Sequence, residues 1–316
     1  MSAFGAQSTA DEVLAGADLS GKTIFITGGA SGIGQEAARA MAAKGAHVVI
    51  AARDPEKVDA AATAVRDATG SKTVETILLD LASLESVRAC AAEANQRFDK
   101  IDLLINNAGV MACPQGQTAD GFETQFGTNH LGHFLLTKGL MPLVEKGANK
   151  RIVNLSSRAH HFAPTDLDDP NFEKASYDPW VSYGQSKTAN VLFSVALEDK
   201  FSDHGIHAYA VHPGGIATNL GRHLSEEQSA ALIERVQASD PNFAFKSIEQ
   251  GAATTCWAAT APELADKGGV YCEDCHVAEV DETSSKGGVR SYALDKTSAE
   301  QLWSLSESLV GESFSA

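Results

Sequence analysis

The chain has 316 residues, 43% of them hydrophobic, enough for the core of one large α/β domain or two small ones. Its 25 basic against 41 acidic side chains leave a formal charge of −16; with no local basic patch, nucleic acid and acidic membrane surfaces are excluded as expected partners. No run of apolar residues is long enough for a membrane span, and the polar, acidic residues 1–20 lack the pattern of a signal peptide, so the expected location is cytoplasmic.

Residues 1–20 read as an N-terminal surface arm in which Thr9 and its successors can start a short helix. From Lys22 short β-rich runs alternate with helical ones, the signature of a parallel sheet covered on both faces. Strands are expected at 23–27, 47–52, 73–79, 103–106, 151–155, 207–211 and 269–271. The first runs into Thr27-Gly28-Gly29-Ala30-Ser31-Gly32-Ile33-Gly34 and then an alanine-rich helical run. Strand, glycine turn and helix in that order aim bare backbone N–H groups and the positive end of a helix at one spot, which suits a phosphate. The glycines are spaced G-x-x-x-G-x-G, not the commoner G-x-G-x-x-G, so a plain structural turn stands as the alternative on this stretch alone.

The second strand ends at Ala52-Arg53, where a dinucleotide enzyme senses the adenosine ribose and where a carboxylate would repel a 2′-phosphate. Arg53 can equally be a solvated residue leading into the helix begun by Asp54 and Pro55. Asp80, followed by Leu81, closes the third strand and can cap a helix starting near Ser83. Asn106-Asn107-Ala108-Gly109 closes the fourth at the same sheet edge, the edge where open α/β sheets bind ligands; an ordinary turn is the competing reading. Asn129 falls inside a long helical stretch, 121–144, where asparagine is unfavourable unless its side chain or a broken backbone bond has a task. His130 and His133 read as packing or surface residues, because no carboxylate partner stands in register for a metal.

Ser156 and Ser157 end the fifth strand. Tyr183 and Lys187 share one face of a helical run, and Pro213, Gly214, Ile216 and Thr218 follow the sixth strand. Five scattered cysteines argue for reduced thiols. Cys272-Glu-Asp-Cys275-His276 matches a haem-attachment pattern, but a signal for export and a second ligand pair for zinc are both lacking, so the thiols are expected to pack and no metal is expected.

These motifs together, in their order from about Gly21 to Tyr271, resemble the short-chain dehydrogenase/reductase family. The Ala52-Arg53-Asp54-Pro55 and Tyr183-Gly-Gln-Ser-Lys187 stretches resemble its retinol-dehydrogenase-like branch, as does the segment 158–182, which makes the interval from Ser157 to Tyr183 longer than in small members. The resemblance implies a single Rossmann-type domain over 21–290, a doubly wound parallel sheet of about seven strands with helices on both faces. It carries the insertion 158–182, a substrate lid at 219–245 and a helical tail at 291–316. It also implies NADP (NADPH), with NAD the lesser candidate, since the Arg53 guanidinium suits a 2′-phosphate. Gly28, Ser31, Gly32, Ile33, Gly34, Asp80, Leu81, Asn107, Ala108, Gly109, Pro213, Gly214, Ile216 and Thr218 would line the cofactor, Asp80 at the adenine. By the same resemblance Asn129 holds a water in a proton relay, Lys187 orients the ribose, and a homodimer or homotetramer forms.

A phenol with a pKa of about 10 is a poor base at neutral pH. A nearby ammonium and an oxidised nicotinamide favour the phenolate, so Tyr183, with Lys187, becomes a usable general acid or base. Ser157, preferred to Ser156 on the family's pattern and on strand alternation, would hold the substrate oxygen. A nucleophilic role for it fails for want of a G-x-S-x-G elbow. The expected activity is NADP-dependent interconversion of an alcohol with an aldehyde or ketone. The expected substrate is bulky and apolar: Phe162, Phe172, Tyr177 and Trp180 border the site with Leu224, Leu232 and Ile233 of the lid, while Arg158 and Arg222 face solvent at segment edges. The competing reading makes these aromatics anchors of the insertion. A dinucleotide-sensing regulatory protein without turnover is the alternative function, disfavoured by the intact Ser, Tyr and Lys set; a methyltransferase gives Tyr-x-x-x-Lys no purpose.

Overall fold

A computed structural model describes residues 3–239 and 244–315. The strands are β1 (Thr23–Thr27), β2 (His47–Ala52), β3 (Val74–Leu78), β4 (Leu103–Asn106), β5 (Arg151–Leu155), β6 (His207–His212), β7 (Val270–Glu273) and β8 (His276–Val277). They form one sheet in the order β3-β2-β1-β4-β5-β6-β7-β8. The first seven are parallel and β8 alone is antiparallel. Central strands such as β1 and β5 are buried along their whole length, as expected where helices cover both faces. Alternation splits the core: Phe25 points into one apolar layer, Ile24 and Ile26 into the other.

The helices are α1 (Ala10–Val13), α2 (Gly32–Ala42), α3 (Pro55–Thr69), α4 (Leu84–Arg97), α5 (Thr124–Phe126), α6 (Gly132–Val144), α7 (Pro179–Phe201), α8 (Glu226–Ser239), α9 (Ile248–Thr260) and α10 (Lys296–Val310). The long stretch expected as one helix is interrupted: a π-helical turn, Gly127–Leu131, separates α5 from α6 and carries Asn129 at its centre. Such turns widen the backbone ladder and cluster at functional sites. Among the described residues no helix is long and apolar enough to cross a membrane.

The eighth strand lies beyond the last one expected from sequence. Asp274 and Cys275 have φ of +47° and +57° and make the two-residue turn of a tight hairpin between β7 and β8. The C-x-x-C-H pattern is therefore a hairpin corner. Both thiols are buried, and burial pushes Cys275 up to about 11. Among the described residues no group of three or more histidine, cysteine or acidic side chains is placed to hold a metal.

Residues 9–14 and 296–314 pack on the body. Thr9 caps α1 in a reciprocal box with Glu12, Leu14 is fully buried, and Asp11 pairs with Arg39 of α2 at 2.8 Å. Trp303 of α10 and Phe314 stack on Phe134, Phe193 and Phe201, closing the apolar face that α6 and α7 share. Of the expected lid at 219–245, residues 240–243 lie outside the described residues.

Candidate active site

The chain reverses direction across the sheet between β1 and β4, and the carboxyl ends of these strands form a crevice. On one side is the glycine turn. Gly28 has φ +68°, and a Cβ there would lie 2.8 Å from the Cα of Ala108; a Cβ on Gly34 would lie 2.4 Å from Asn107 Nδ2. Glycine is thus required for α2 to approach the end of β4. Ser31 is the N-cap of α2 but makes no side-chain capping bond, so its hydroxyl and the first N–H groups of the helix are available to an anion. Gly32, at φ +57°, faces Thr218, whose side chain would be 3.5 Å from a Cβ there. This cradle fits the pyrophosphate of a dinucleotide.

The Thr27 hydroxyl accepts from the backbone N–H groups of Asn107 (2.9 Å) and Ala108 (3.0 Å), and Asn107 Nδ2 donates back to the Thr27 carbonyl at 2.8 Å. Asp80 is half-buried and accepts from the N–H of Ala82; the cap of α4 is Ser83, so the capping role open to Asp80 belongs to its neighbour. Leu81 is buried, its carbonyl in close approach to Gly132. Arg53 is exposed at the end of β2.

A cavity of about 430 Å³ opens from this crevice. Ile33, Asn107 and Gly109 line it on one side, and Pro213, Gly214, Ile216 and Thr218 on another. Ser157, Tyr183 and Lys187 share a wall of it. The two serines differ: Ser156 is buried and donates to the Lys187 carbonyl at 2.8 Å, whereas Ser157 is half-buried, lines the cavity beside Tyr183 and accepts from the Ala159 N–H at 3.1 Å. Burial pushes the Tyr183 phenol up to about 12, against a smaller lowering from the Ser157 hydroxyl. The expected lowering by Lys187 is absent within the protein. Its Nζ lies 5.6 Å from the Tyr183 ring centre and donates to the Leu155 carbonyl at 3.0 Å, and burial brings Lys187 itself down to about 8. A cation added at the crevice is what would oppose the burial of Tyr183.

Asn129 is fully buried. Its Oδ1 accepts from the Val110 N–H (2.8 Å), while its Nδ2 donates to the Val110 carbonyl (3.0 Å) and to Ser186 Oγ (3.0 Å). It therefore ties the loop after β4 to the helix turn that carries Lys187. The two histidines beside it are both buried: His130 meets Ser306 of α10 at 2.8 Å, and His133 lies between Thr27 Oγ1 (2.8 Å) and the Asn129 carbonyl (2.9 Å). Burial lowers them to about 3 and about 4. His212, overlooked in the sequence although it precedes the Pro-Gly pair, lines the cavity and accepts at Nδ1 from the N–H groups of Arg158 (3.3 Å) and Gly214 (3.4 Å).

The aromatic set divides. Phe162 and Trp180 line the cavity with Leu224, Leu232 and Ile233. Phe172 and Tyr177 do not: Phe172 is buried edge-on against Tyr177, whose hydroxyl donates to the Cys113 carbonyl at 2.9 Å. These two anchor the insertion, because its polar backbone needed a route into the core. Arg158, expected at a solvent edge, lines the cavity and donates from Nη1 to the Lys286 carbonyl at 3.3 Å, whereas Arg222 is exposed.

The family model described as short chain dehydrogenase matches residues 22–229, a span that holds the glycine turn, Asn129, Ser157, Tyr183 and Lys187. The chain belongs to the short-chain dehydrogenase family. The chloroplastic short-chain dehydrogenase TIC 32 A of Brassica napus is 40% identical over 322 residues, covering 98% of this chain and 95% of that protein. Retinol dehydrogenase 13 of Homo sapiens is 41% identical over 297 residues, covering 93% and 86%, and sets this chain in the retinol-dehydrogenase-like branch. Among solved structures, the Pseudomonas aeruginosa RhlG/NADP active-site complex is 26% identical with a TM-score of 0.65, covering 85% of this chain and 98% of that one. This short-chain dehydrogenase is an oxidoreductase of alcohol and carbonyl groups that works with a nicotinamide dinucleotide.

Lys187 carries a stability cost with a defined sign. Its folded pKa of about 8 lies below the unfolded value, so the deficit is fully present below about pH 8, shrinks as the folded protein gives up the proton above that pH, and levels off once the unfolded chain has deprotonated too, near pH 10.4. Lys187→Met should therefore stabilise the cofactor-free protein at pH 7 by a few kcal/mol, since one pKa unit corresponds to about 1.4 kcal/mol. In thermal melts its advantage over wild type should shrink between pH 7 and pH 10; a gap independent of pH contradicts the assignment.

Proposed function

We propose that the protein is an NADP-dependent oxidoreductase that interconverts a bulky apolar aldehyde or ketone with its alcohol, with Tyr183 as general acid/base. The observation that carries this reading is the convergence of Ser157, Tyr183 and Lys187 on one wall of the cavity that the glycine turn also reaches. The dinucleotide, when bound, supplies or takes the hydride. Ser157 holds the substrate oxygen through its hydroxyl, and Tyr183 gives a proton to that oxygen in reduction or takes it in oxidation. Burial keeps Tyr183 protonated, the state that carbonyl reduction uses. Lys187 orients the ribose from its seat on the Leu155 carbonyl, and Asn129 holds the water through which Tyr183 is reprotonated. Gly28, Ser31, Gly32, Ile33, Gly34, Asp80, Leu81, Asn107, Ala108, Gly109, Pro213, Gly214, Ile216 and Thr218 line the bound dinucleotide, and Arg53 meets its 2′-phosphate.

The assembly expected by analogy, a homodimer or homotetramer, has to use a face other than the one α6 and α7 share, since α10 and Phe314 fill that face. A cytoplasmic location is favoured by five free thiols, although one relative bears a chloroplastic name, and cell fractionation decides it.

Tyr183→Phe removes the exchangeable proton and leaves the ring, so turnover should fall by several orders of magnitude while NADPH still binds. Stopped assays with NADPH and a panel of carbonyls, alongside fluorescence titration of the cofactor, check both halves. Near-normal rates at pH 7 in the variant would sink the mechanism.

NADPH should be preferred to NADH. A charge-assisted contact contributes roughly 1.5–3 kcal/mol, about ten- to a hundredfold. Arg53→Ala should erase most of that preference through the KM for NADPH, and equal use of both cofactors by the wild type is the contrary result.

The apolar wall of Phe162, Trp180, Leu224, Leu232 and Ile233 supports the bulky, apolar substrate class. Each buried methylene contributes about 0.8 kcal/mol, roughly fourfold in kcat/KM. Across a homologous series of aldehydes kcat/KM should climb until the cavity is full. A flat series, or a preference for acidic carbonyl compounds that engage Arg158, overturns the apolar assignment.

A further inference from the structure

His133 is 1% exposed and sits between two parts of the crevice that the sequence separates by about a hundred positions. Its bonds leave one arrangement of protons. Nδ1 faces the Asn129 carbonyl at 2.9 Å, a group that can only accept, so Nδ1 carries hydrogen. Nε2 faces Thr27 Oγ1 at 2.8 Å, and that oxygen already accepts from the N–H groups of Asn107 and Ala108. With both lone pairs engaged, the hydroxyl must donate, and Nε2 must be bare. The imidazole is thereby neutral by geometry, a state its burial also favours.

We propose that His133 is a positioning residue, a neutral imidazole that locks the Asn129 carbonyl of the π-helical turn and the Thr27-bound amides after β4 into one rigid frame. The inference rests on the proposed function for what that frame serves. One arm sets the 107–108 backbone that faces the dinucleotide. The other sets the Asn129 carbonyl, in the turn whose side chain reaches Val110 and Ser186 next to Lys187. A purely structural histidine would affect both sides alike, whereas two separate arms can be cut one at a time.

Asparagine places an N–H donor where Nδ1 stands and leaves Thr27 without its acceptor; glutamine reaches the Nε2 position and leaves the Asn129 carbonyl without its donor. Losing one hydrogen bond of this kind corresponds to roughly tenfold. His133→Asn should raise the Kd for NADPH about tenfold and leave kcat nearly unchanged, and His133→Gln should lower kcat about tenfold and leave that Kd nearly unchanged. In the ¹⁵N-labelled full-length wild type, the imidazole signal missing from His133→Asn should show hydrogen on Nδ1 only, unaltered from pH 6 to pH 9. Hydrogen on Nε2, titration within that range, or equal losses in both variants overturns the proposal. Where a variant fails to fold, the wild-type tautomer still decides. If the wild type turns over no carbonyl at all, the proposed function fails, while the tautomer and the NADPH Kd continue to judge the role of His133.

Discussion

The constraint on which the crevice depends is the close approach of the glycine turn to the end of β4. Gly34 and Gly28 are the two places where a methyl group would strike Asn107 or Ala108, so their bareness lets α2 seat at the sheet edge with its N-terminus open. That contact is then fixed by polar bonds. Thr27 accepts three hydrogen bonds within a few ångströms of the same point, two from Asn107 and one from the Ala108 N–H. A backbone that must be bare for a ligand cannot be stiffened by side chains of its own, so the stiffness is borrowed from a neighbouring strand.

The insertion 158–182 solves a similar problem with buried polar groups. Gln125 donates to the Tyr177 hydroxyl, the Pro179 carbonyl and Ser182, and Glu123 accepts from the Phe126 N–H and from Tyr177. Burial pushes the Glu123 carboxyl up, which the surrounding donors oppose. Asp169 gathers the N–H groups of Glu173, Lys174 and Ala175 and so folds the insertion on itself. These bonds explain the division of the aromatics. Tyr177 has a hydroxyl to satisfy and goes to the polar anchor with Phe172, while Phe162 and Trp180 meet each other edge-on at 6.2 Å and form cavity wall.

The sheet and crevice were legible in sequence because their signals are local. Apolar runs such as Ile24 to Ile26 and His47 to Ala52 gave strands within a residue or so, and the glycine spacing and Tyr183-x-x-x-Lys187 marked the crevice. What was not legible depends on contacts between distant segments. The hairpin at Asp274-Cys275 places two residues other than glycine at positive φ, against the usual composition of such turns. His133 carried no signal because its partners, Thr27 and the Asn129 carbonyl, meet only once β1 and α6 are packed. The surroundings of Tyr183 were hidden in the same way: a lysine four residues away is visible in sequence, but the loss of solvent around both groups is not, and burial raises the phenol and lowers the ammonium.

The split between Tyr183 and Lys187 also shows where stability is given up. Both side chains are buried, one held protonated and the other held charged against its surroundings, and neither environment favours the pair in the cofactor-free protein. The compensation lies elsewhere in the same helix. Asn190 donates to the Leu155 carbonyl that also takes the Lys187 ammonium, and Asn154, Ser194 and Asn106 continue the chain of bonds beneath the sheet edge. On the outer side of α7, Phe193 and Phe201 meet Trp303 and Phe314 in an apolar cluster. Residues 296–314 lie past the 22–229 span of the family model, so the helix whose inner face carries Tyr183 and Lys187 is braced from outside by a part of the chain that the family model does not match. Burial of that outer face opposes the cost of the inner one, and the strained groups can then remain fixed in place.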